Sequence, residues 1–191
     1  MPTPLTHAVV GLAAGGTIAG PRRPLRFWAA VLLCAAIPDV DTIGLRLGIP
    51  YGHVLGHRGL THSLAFAAVL ALAGACLAAR GLRVRSGRWW GLWALLLAVG
   101  ASHGVLDAMT DGGLGVAFLA PFSAERYWMP WRPIKVAPIG LRRFLSPWGL
   151  EVMEFEISRL WVPAVLAFVV ATVVRAVRRR PAGGAGEKLP E

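Results

Sequence analysis

Long apolar runs alternate with short polar or basic stretches along the chain, a pattern typical of a helical membrane protein. About 20 helical residues are needed to cross a hydrocarbon core of roughly 30 Å. The stretch between Arg58 and Arg80 carries no charge apart from titratable His62, and residues 89–106 are similarly apolar. A third run, residues 160–174, is shorter but strongly apolar. We predict a membrane-spanning helix from each of these runs.

Two weaker apolar runs lie nearer the N-terminus. Residues 5–20 are rich in Gly and Ala, which allow close helix packing, and residues 27–37 form a short run that ends at Pro38. We interpret the pair as a tight helical hairpin, because the first run lacks the basic n-region of a signal peptide. The predicted fold class is all-α, a polytopic membrane helix bundle of about four to five transmembrane segments. We expect one domain over residues 1–180 and a disordered tail over residues 181–191.

Composition and charge support a membrane environment. Of 191 residues, 55% are hydrophobic and 16% are charged, against about 25% charged in soluble domains. The net charge of +10 first suggests nucleic acid, but twelve of the twenty cations lie at the ends of apolar runs, within residues 22–26, 80–88 and 175–188. The positive-inside rule places these basic stretches and the C-terminus in the cytoplasm, and the longer loops 39–60 and 108–159 outside. We expect the lipid bilayer as a partner and no nucleic acid.

All histidine and aspartate side chains fall near the ends of predicted helices on the non-cytoplasmic side. They are His7, Asp39, Asp41, His53, His57, His62, His103, Asp107 and Asp111. Structural explanations exist for several of them taken singly. His7 could be a hydrogen-bonded helix-end residue, the two aspartates after Pro38 could belong to a turn, and His103 and Asp107 could form an i,i+4 hydrogen bond.

Taken together, these residues favour a metal site. Ionisable side chains near hydrocarbon are costly unless they are paired or coordinated. A set of imidazole nitrogens and carboxylate oxygens suits Zn²⁺, with Mn²⁺ and Fe²⁺ as alternatives, and the absence of nearby cysteine argues against a thiolate structural site. The candidates are numerous enough for one or two divalent metal ions, the latter bridged by a carboxylate.

Several motifs resemble the YdjM-type family of inner-membrane proteins, described as membrane-bound metal-dependent hydrolases. They are Thr6-His7, Pro38-Asp39-Val40-Asp41, the segment His57-Arg58-Gly59-Leu60-Thr61-His62-Ser63, Ser102-His103-(x3)-Asp107-(x2)-Thr110, and a later run from Pro121 to Ile134. The resemblance covers about residues 5–135 and implies a multi-pass protein of the inner (plasma) membrane. It carries the metal role to His7, Asp39, Asp41, His57, His62, His103 and Asp107. His53 and Asp111 lie outside the motifs.

We therefore predict a membrane-bound hydrolase with its site on the extracytoplasmic side. A metal-activated water would attack a phosphoester or ester of a lipid-like or anionic substrate. Catalytic roles are predicted for Arg58, Asp41 and Asp107, and substrate contacts for Arg58, Arg126 and Arg132, because guanidinium forks bind phosphate and carboxylate. The alternative is a non-enzymatic integral membrane protein with a structural or transport metal site, although a cation pathway should avoid arginine.

Two local features are predicted to have structural roles. We expect Thr61 to cap the helix that carries His62. Glu151, Glu154 and Glu156 are expected to form the acidic start of the last helix.

Overall fold

Eight α-helices lie within residues 1–84 and 86–179, the parts of the chain that the computed structural model describes. They are α1 (Pro4–Ala19), α2 (Leu25–Ala36), α3 (Thr42–Arg46), α4 (Leu64–Ala78), α5 (Gly87–Ala108), α6 (Leu141–Phe144), α7 (Pro147–Glu156) and α8 (Val162–Arg178). The predicted all-α membrane helix bundle is confirmed. The predicted disordered tail, residues 181–191, lies outside the described residues.

Three helical segments among the described residues are long and apolar enough to cross a membrane. They are Leu25–Arg46 and Gly87–Ala108, each of 22 residues, and Pro147–Arg178 of 32 residues. Helices α1, of 16 residues, and α4, of 15 residues, are apolar but shorter. The bundle therefore combines three long apolar segments with two shorter helices.

The structure differs from the sequence prediction in which runs form the longest segments. The run after Arg58 becomes α-helical only at Leu64, because the residues before it form turns that bring side chains into the bundle. The run that was expected to stop at Pro38 instead continues through a 3₁₀ turn, Ile37–Asp41, into α3. Pro38 occupies the first turn of that 3₁₀ segment, where a missing N–H costs no hydrogen bond.

Small side chains form the centre where α2, α4 and α5 meet. Ala30, Ala71, Ala75 and Leu96 are fully buried there. Gly11 of α1 lies so close to α2 that a Cβ would stand 2.7 Å from the Cβ of Ala35. Small residues at such contacts let helix backbones approach closely, as in membrane bundles generally.

Helix α8 packs mainly on α1 and has no buried residue. Val165, Leu166, Val169 and Val170 are among its exposed apolar side chains. In a membrane protein such a face is matched by lipid rather than by water.

The up-and-down order of the helices gives the bundle two chemically different ends. One end, called here the site end, collects the start of α1, the end of α2 and the end of α5. The other, the arginine end, collects the end of α1, the start of α2 and the start of α5. At the site end, residues 109–137 fold back over the helices, with backbone bridges between Thr110 and Ile134 and between Val116 and Tyr127.

Candidate metal centre

The seven residues that the motifs select converge at the site end. His7 lies in the first turns of α1, Asp39 and Asp41 in the 3₁₀ turn after α2, and His103 and Asp107 on the last turns of α5. The remaining two, His57 and His62, come from the turns that precede α4. Each of the seven is at most 8% exposed.

Glycines make the turn around His57 possible. A Cβ on Gly56 would overlap the carbonyl oxygen of Pro50, and one on Gly59 would overlap that of Val54. The chain can therefore fold tightly enough to deliver His57 into the interior.

Four side chains bring possible ligand atoms close to one another. The Nε2 atoms of His62 and His103 are 3.2 Å apart. Asp39 Oδ1 lies 3.4 Å from His103 Nε2 and 3.7 Å from His62 Nε2, and Asp107 Oδ2 lies 3.3 Å from His62 Nε2. Metal–ligand bonds of about 2.0–2.1 Å in tetrahedral geometry imply ligand–ligand separations of roughly 3.3–3.4 Å. These four separations, 3.2–3.7 Å, are close to those expected between ligand atoms of a metal centre.

Hydrogen bonds determine which nitrogen of each imidazole faces inward. The Nδ1 of His103 is 2.7 Å from the carbonyl oxygen of Ala35, which can only accept, so Nδ1 carries the hydrogen. The Nδ1 of His57 is likewise 2.7 Å from Asp41 Oδ1. In the neutral rings, Nε2 of both residues then carries the lone pair, as required of a metal ligand.

Thr61 completes the same arrangement for His62. Its hydroxyl donates to Asp41 Oδ2 at 2.6 Å and therefore accepts from His62 Nδ1 at 3.0 Å. The lone pair of His62 Nε2 consequently faces that of His103 Nε2. Two lone pairs 3.2 Å apart repel unless a proton or a metal ion lies between them.

Many polar atoms in the cluster have no hydrogen-bond partner although they are buried. They include both ring nitrogens of His7, both carboxylate oxygens of Asp39 and of Asp107, and His57 Nε2. A single unsatisfied buried polar group costs about 1–3 kcal/mol, and a charged one costs more. The residues present therefore fit a divalent cation, which would satisfy several of these atoms at once.

The ligand atoms fall into two overlapping groups. One consists of His7, Asp39, His103 and Asp107, and the other of Asp39, His57 and His62. Within each group the atoms lie within 4.8 Å of one another. Asp39 belongs to both groups, and His7 also stacks on His103 with ring centroids 3.6 Å apart.

Asp41 occupies a different position from the other acidic residues of the cluster. Its Oδ1 contacts His57, and its Oδ2 accepts from Thr61 and from the backbone N–H of Arg58, at 3.2 Å. Both oxygens are thus engaged with protein donors. Asp41 supports the imidazoles from behind.

Arg58 is fully buried, forms hydrogen bonds through both Nη atoms and forms an ion pair through Nε. Its Nε lies 3.2 Å from Asp107 Oδ2, Nη1 donates to the carbonyl of Gly112 at 3.0 Å, and Nη2 donates to the hydroxyl of Thr110 at 2.8 Å. Its backbone is left-handed, with φ 63°, which is uncommon for a residue other than glycine and is often found at functional sites. Arg58 therefore holds Asp107 in place.

The other two predicted substrate contacts behave differently from each other. Arg126 donates to backbone carbonyls of the loops around the site, among them Tyr51 at 3.0 Å and His57 at 3.1 Å. Arg132 is exposed and stacks 4.9 Å from the ring of Trp128. Of the three arginines, Arg132 presents its guanidinium to the outside of the protein.

Two predicted structural roles are wrong. Helix α4 is capped by Ser63, whose hydroxyl accepts from Phe66 N, because Thr61 is drawn away to Asp41. The glutamates do not form the acidic start of the last helical segment, Pro147–Arg178, because they lie beyond its first turn, which has no acidic residue. Glu151 instead pairs with Lys135.

Glu156 is a structural anchor that sequence reasoning missed. It is fully buried and accepts from the backbone N–H of Thr3 at 2.7 Å and from the hydroxyls of Thr3 and Thr6 at 2.5 Å. These bonds tie the start of α1, which carries His7, to the last helical segment. Threonines at the start of α1 were the available signal, but nothing nearby in sequence indicated their partner.

His53 and Asp111, which lie outside the motifs, also lie outside the cluster. His53 Nδ1 accepts from the backbone N–H of Leu55 at 3.1 Å, and Asp111 Oδ1 accepts from that of Val136 at 2.8 Å.

Comparison with known proteins agrees with the motifs. Residues 1–182 match the family described as YdjM inner membrane protein. The inner membrane protein YbcI of Escherichia coli (strain K12) is 41% identical over 167 residues, which cover 87% of this chain and 94% of that protein. No solved structure matches the chain.

Proposed function

We propose, since the chain belongs to the YdjM family of inner membrane proteins, that its buried His/Asp cluster is the metal centre of a membrane-bound hydrolase. One observation carries the proposal. The lone pairs of His62 Nε2 and His103 Nε2 face each other at 3.2 Å, beside the carboxylates of Asp39 and Asp107. A bound cation would relieve the repulsion between the two nitrogens and would offset the charge of both carboxylates.

The two ligand groups support a centre with two ions that share Asp39. His7, His103 and Asp107 would complete one set, and His57 and His62 the other. The donors suit Zn²⁺ first, with Mn²⁺ and Fe²⁺ as alternatives. Divalent ions at such a site lower the pKa of a bound water and polarise an ester or phosphoester oxygen.

The surrounding residues hold the centre and handle protons. We assign Asp41 the role of orienting His57 and His62, rather than that of a ligand, because its oxygens are already engaged. Arg58 fixes Asp107 through Oδ2, which leaves Oδ1 as the candidate proton acceptor. His7 Nε2 lies 3.2 Å from that oxygen.

A cavity of about 550 Å³ supports a lipid-like substrate. It opens at the site end between the start of α1 and α3, the segments next to His7 and Asp41, and apolar side chains dominate its lining. They include Leu5, Ile43, Leu45, Ile139 and Phe144. We propose that the cavity accepts the hydrocarbon part of the substrate, while exposed Arg132 contacts its anionic group.

The arginine distribution supports an extracytoplasmic location for this chemistry. The clustered short basic loops belong to the arginine end, which the positive-inside rule assigns to the cytoplasm. The site end would then face outward.

The test is hydrolysis by detergent-purified protein of a lipid phosphomonoester and a lipid carboxylester, with released phosphate and fatty acid measured separately. Chelation should abolish turnover and Zn²⁺ or Mn²⁺ should restore it. H103A should be inactive, whereas D111N, which lies outside the cluster, should match wild type. Turnover that survives both chelation and H103A would refute the proposal. Retained metal without turnover of either substrate would favour the structural or transport alternative.

A further inference from the structure

A second cavity, of about 680 Å³, lies at the arginine end, far from the candidate metal centre. It is formed where the connection between α1 and α2 meets the end of α4 and the start of α5. Apolar side chains, among them Phe27, Leu92 and Leu95, line its inner part. Four arginines also line it: Arg23, Arg26, Arg80 and Arg88.

These arginines have no acidic partner among the described residues. No Asp or Glu occurs in residues 1–38 or 42–106. Arg23 Nε donates to the carbonyl of Ala19 at 2.9 Å, and Arg26 Nη2 donates to that of Arg80 at 3.5 Å. Backbone carbonyls leave most guanidinium donors available and do not neutralise the charge. Like charges gathered around one cavity favour an anionic occupant.

Helix ends add to the positive potential. Helix α2 begins at Leu25 without a side-chain cap, whereas the start of α5 at Gly87 is capped by Ser86. Both N-termini lie beside the cavity, because Arg26 of α2 and Arg88 of α5 line it. The N-terminus of a helix carries a partial positive charge and unsatisfied N–H groups.

We propose that this cavity is a binding site for an anionic glycerophospholipid. The arginines would contact the phosphate of the headgroup, and the apolar inner part would hold the first carbons of an acyl chain. The combination argues for a lipid rather than a free anion, because inorganic phosphate would make no use of Phe27, Leu92 or Leu95. Basic pockets between membrane helices suit such headgroups.

A purely topological role does not explain the convergence. Arg22 and Arg83 lie in the same two connections but do not line the cavity. They would serve the positive-inside rule as well as their neighbours do. They therefore provide a matched control with the same change in net charge.

The experiment is native mass spectrometry of the full chain, incubated in detergent with phosphatidylglycerol or with phosphatidylcholine. Wild type should retain phosphatidylglycerol about tenfold more strongly than phosphatidylcholine, and R80Q/R88Q should lose that preference. R22Q/R83Q should keep it. If R80Q/R88Q fails to fold, judged by its thermal unfolding, R23Q/R26Q takes its place.

Three results would overturn the proposal. They are equal retention of the two lipids by wild type, equal losses in the cavity and control variants, and complete displacement of the lipid by about 10 mM inorganic phosphate, since the apolar contacts should resist a free anion. None of these results depends on the chemistry at the metal centre.

Discussion

Replacing Asp41 with asparagine separates a residue that orients imidazoles from one that binds the ion. The carboxylate accepts from His57 Nδ1 through Oδ1, and from the Thr61 hydroxyl and the backbone N–H of Arg58 through Oδ2. Asparagine retains a single oxygen. If the amide nitrogen faces His57, two N–H donors point at each other. If it faces Thr61, the Thr61 hydroxyl and the backbone N–H of Arg58 both lose their acceptor.

D41N should lower the affinity for metal without changing the number of bound ions. Loss of an orienting partner behind a metal-ligating histidine lowers affinity by about 10–100-fold, or about 1.4–2.7 kcal/mol. Asp41 supports both His57 and, through Thr61, His62. We therefore expect D41N to lie near the upper end, at about 100-fold, with the number of bound ions unchanged.

The assay is competition with a chromophoric chelator on detergent-purified protein, combined with elemental analysis. D39N is the ligand comparison and should lose bound ions outright, because Asp39 belongs to both ligand groups. D111N is the neutral control, since the Asp111 side chain accepts from Val136 N, outside the cluster. If D41N loses ions as D39N does while unfolding at the wild-type temperature, Asp41 is itself a ligand and the proposed positioning role is wrong.

Three further substitutions test other parts of the structure. E156Q should lower the free energy of unfolding by about 1–3 kcal/mol, because one acceptor oxygen of a buried, hydrogen-bonded carboxylate becomes a donor. E154Q, on the exposed side of the helix, should leave it unchanged. Thermal unfolding in detergent measures the difference. G56A should lower the free energy of unfolding by more than about 1 kcal/mol or prevent folding, because its Cβ would overlap backbone. G91A, with open space around it inside α5, should be at least as stable as wild type. R132Q should raise KM for an anionic substrate about tenfold with kcat little changed, and an equal fall in kcat would show that Arg132 acts in the transition state instead.

The membrane bundle was predictable because long apolar runs match the hydrocarbon core of a bilayer and arginine clusters mark the ends of the spans. The boundaries were less predictable. From the sequence alone, Pro38 predicts the end of a helix. In the structure it occupies the first turn of the 3₁₀ segment, and the helical segment continues to Arg46. The turns before Leu64 shorten an apolar run that by composition alone could span. Local sequence does not reveal that these turns are needed to bring His57 and His62 inward.

The convergence of seven His and Asp residues was predicted from helix ends and motifs, but their division of roles was not. Asp39 and Asp41 are two residues apart, and only tertiary contacts show that the oxygens of one are unpartnered and those of the other engaged. Arg58 was predicted to meet substrate, and the structure encloses it against Asp107. The bond between Glu156 and Thr3 joins residues 153 positions apart, beyond the reach of any local pattern.

Elemental analysis of detergent-purified protein decides whether the buried His/Asp cluster holds metal. We expect about two equivalents of a divalent transition metal per chain, because two ligand groups share Asp39. H103A should lower the metal content, and H53A, outside the cluster, should not. The cluster is not a metal centre if folded wild-type protein contains no metal and takes up neither Zn²⁺ nor Mn²⁺, or if H103A keeps the full metal content.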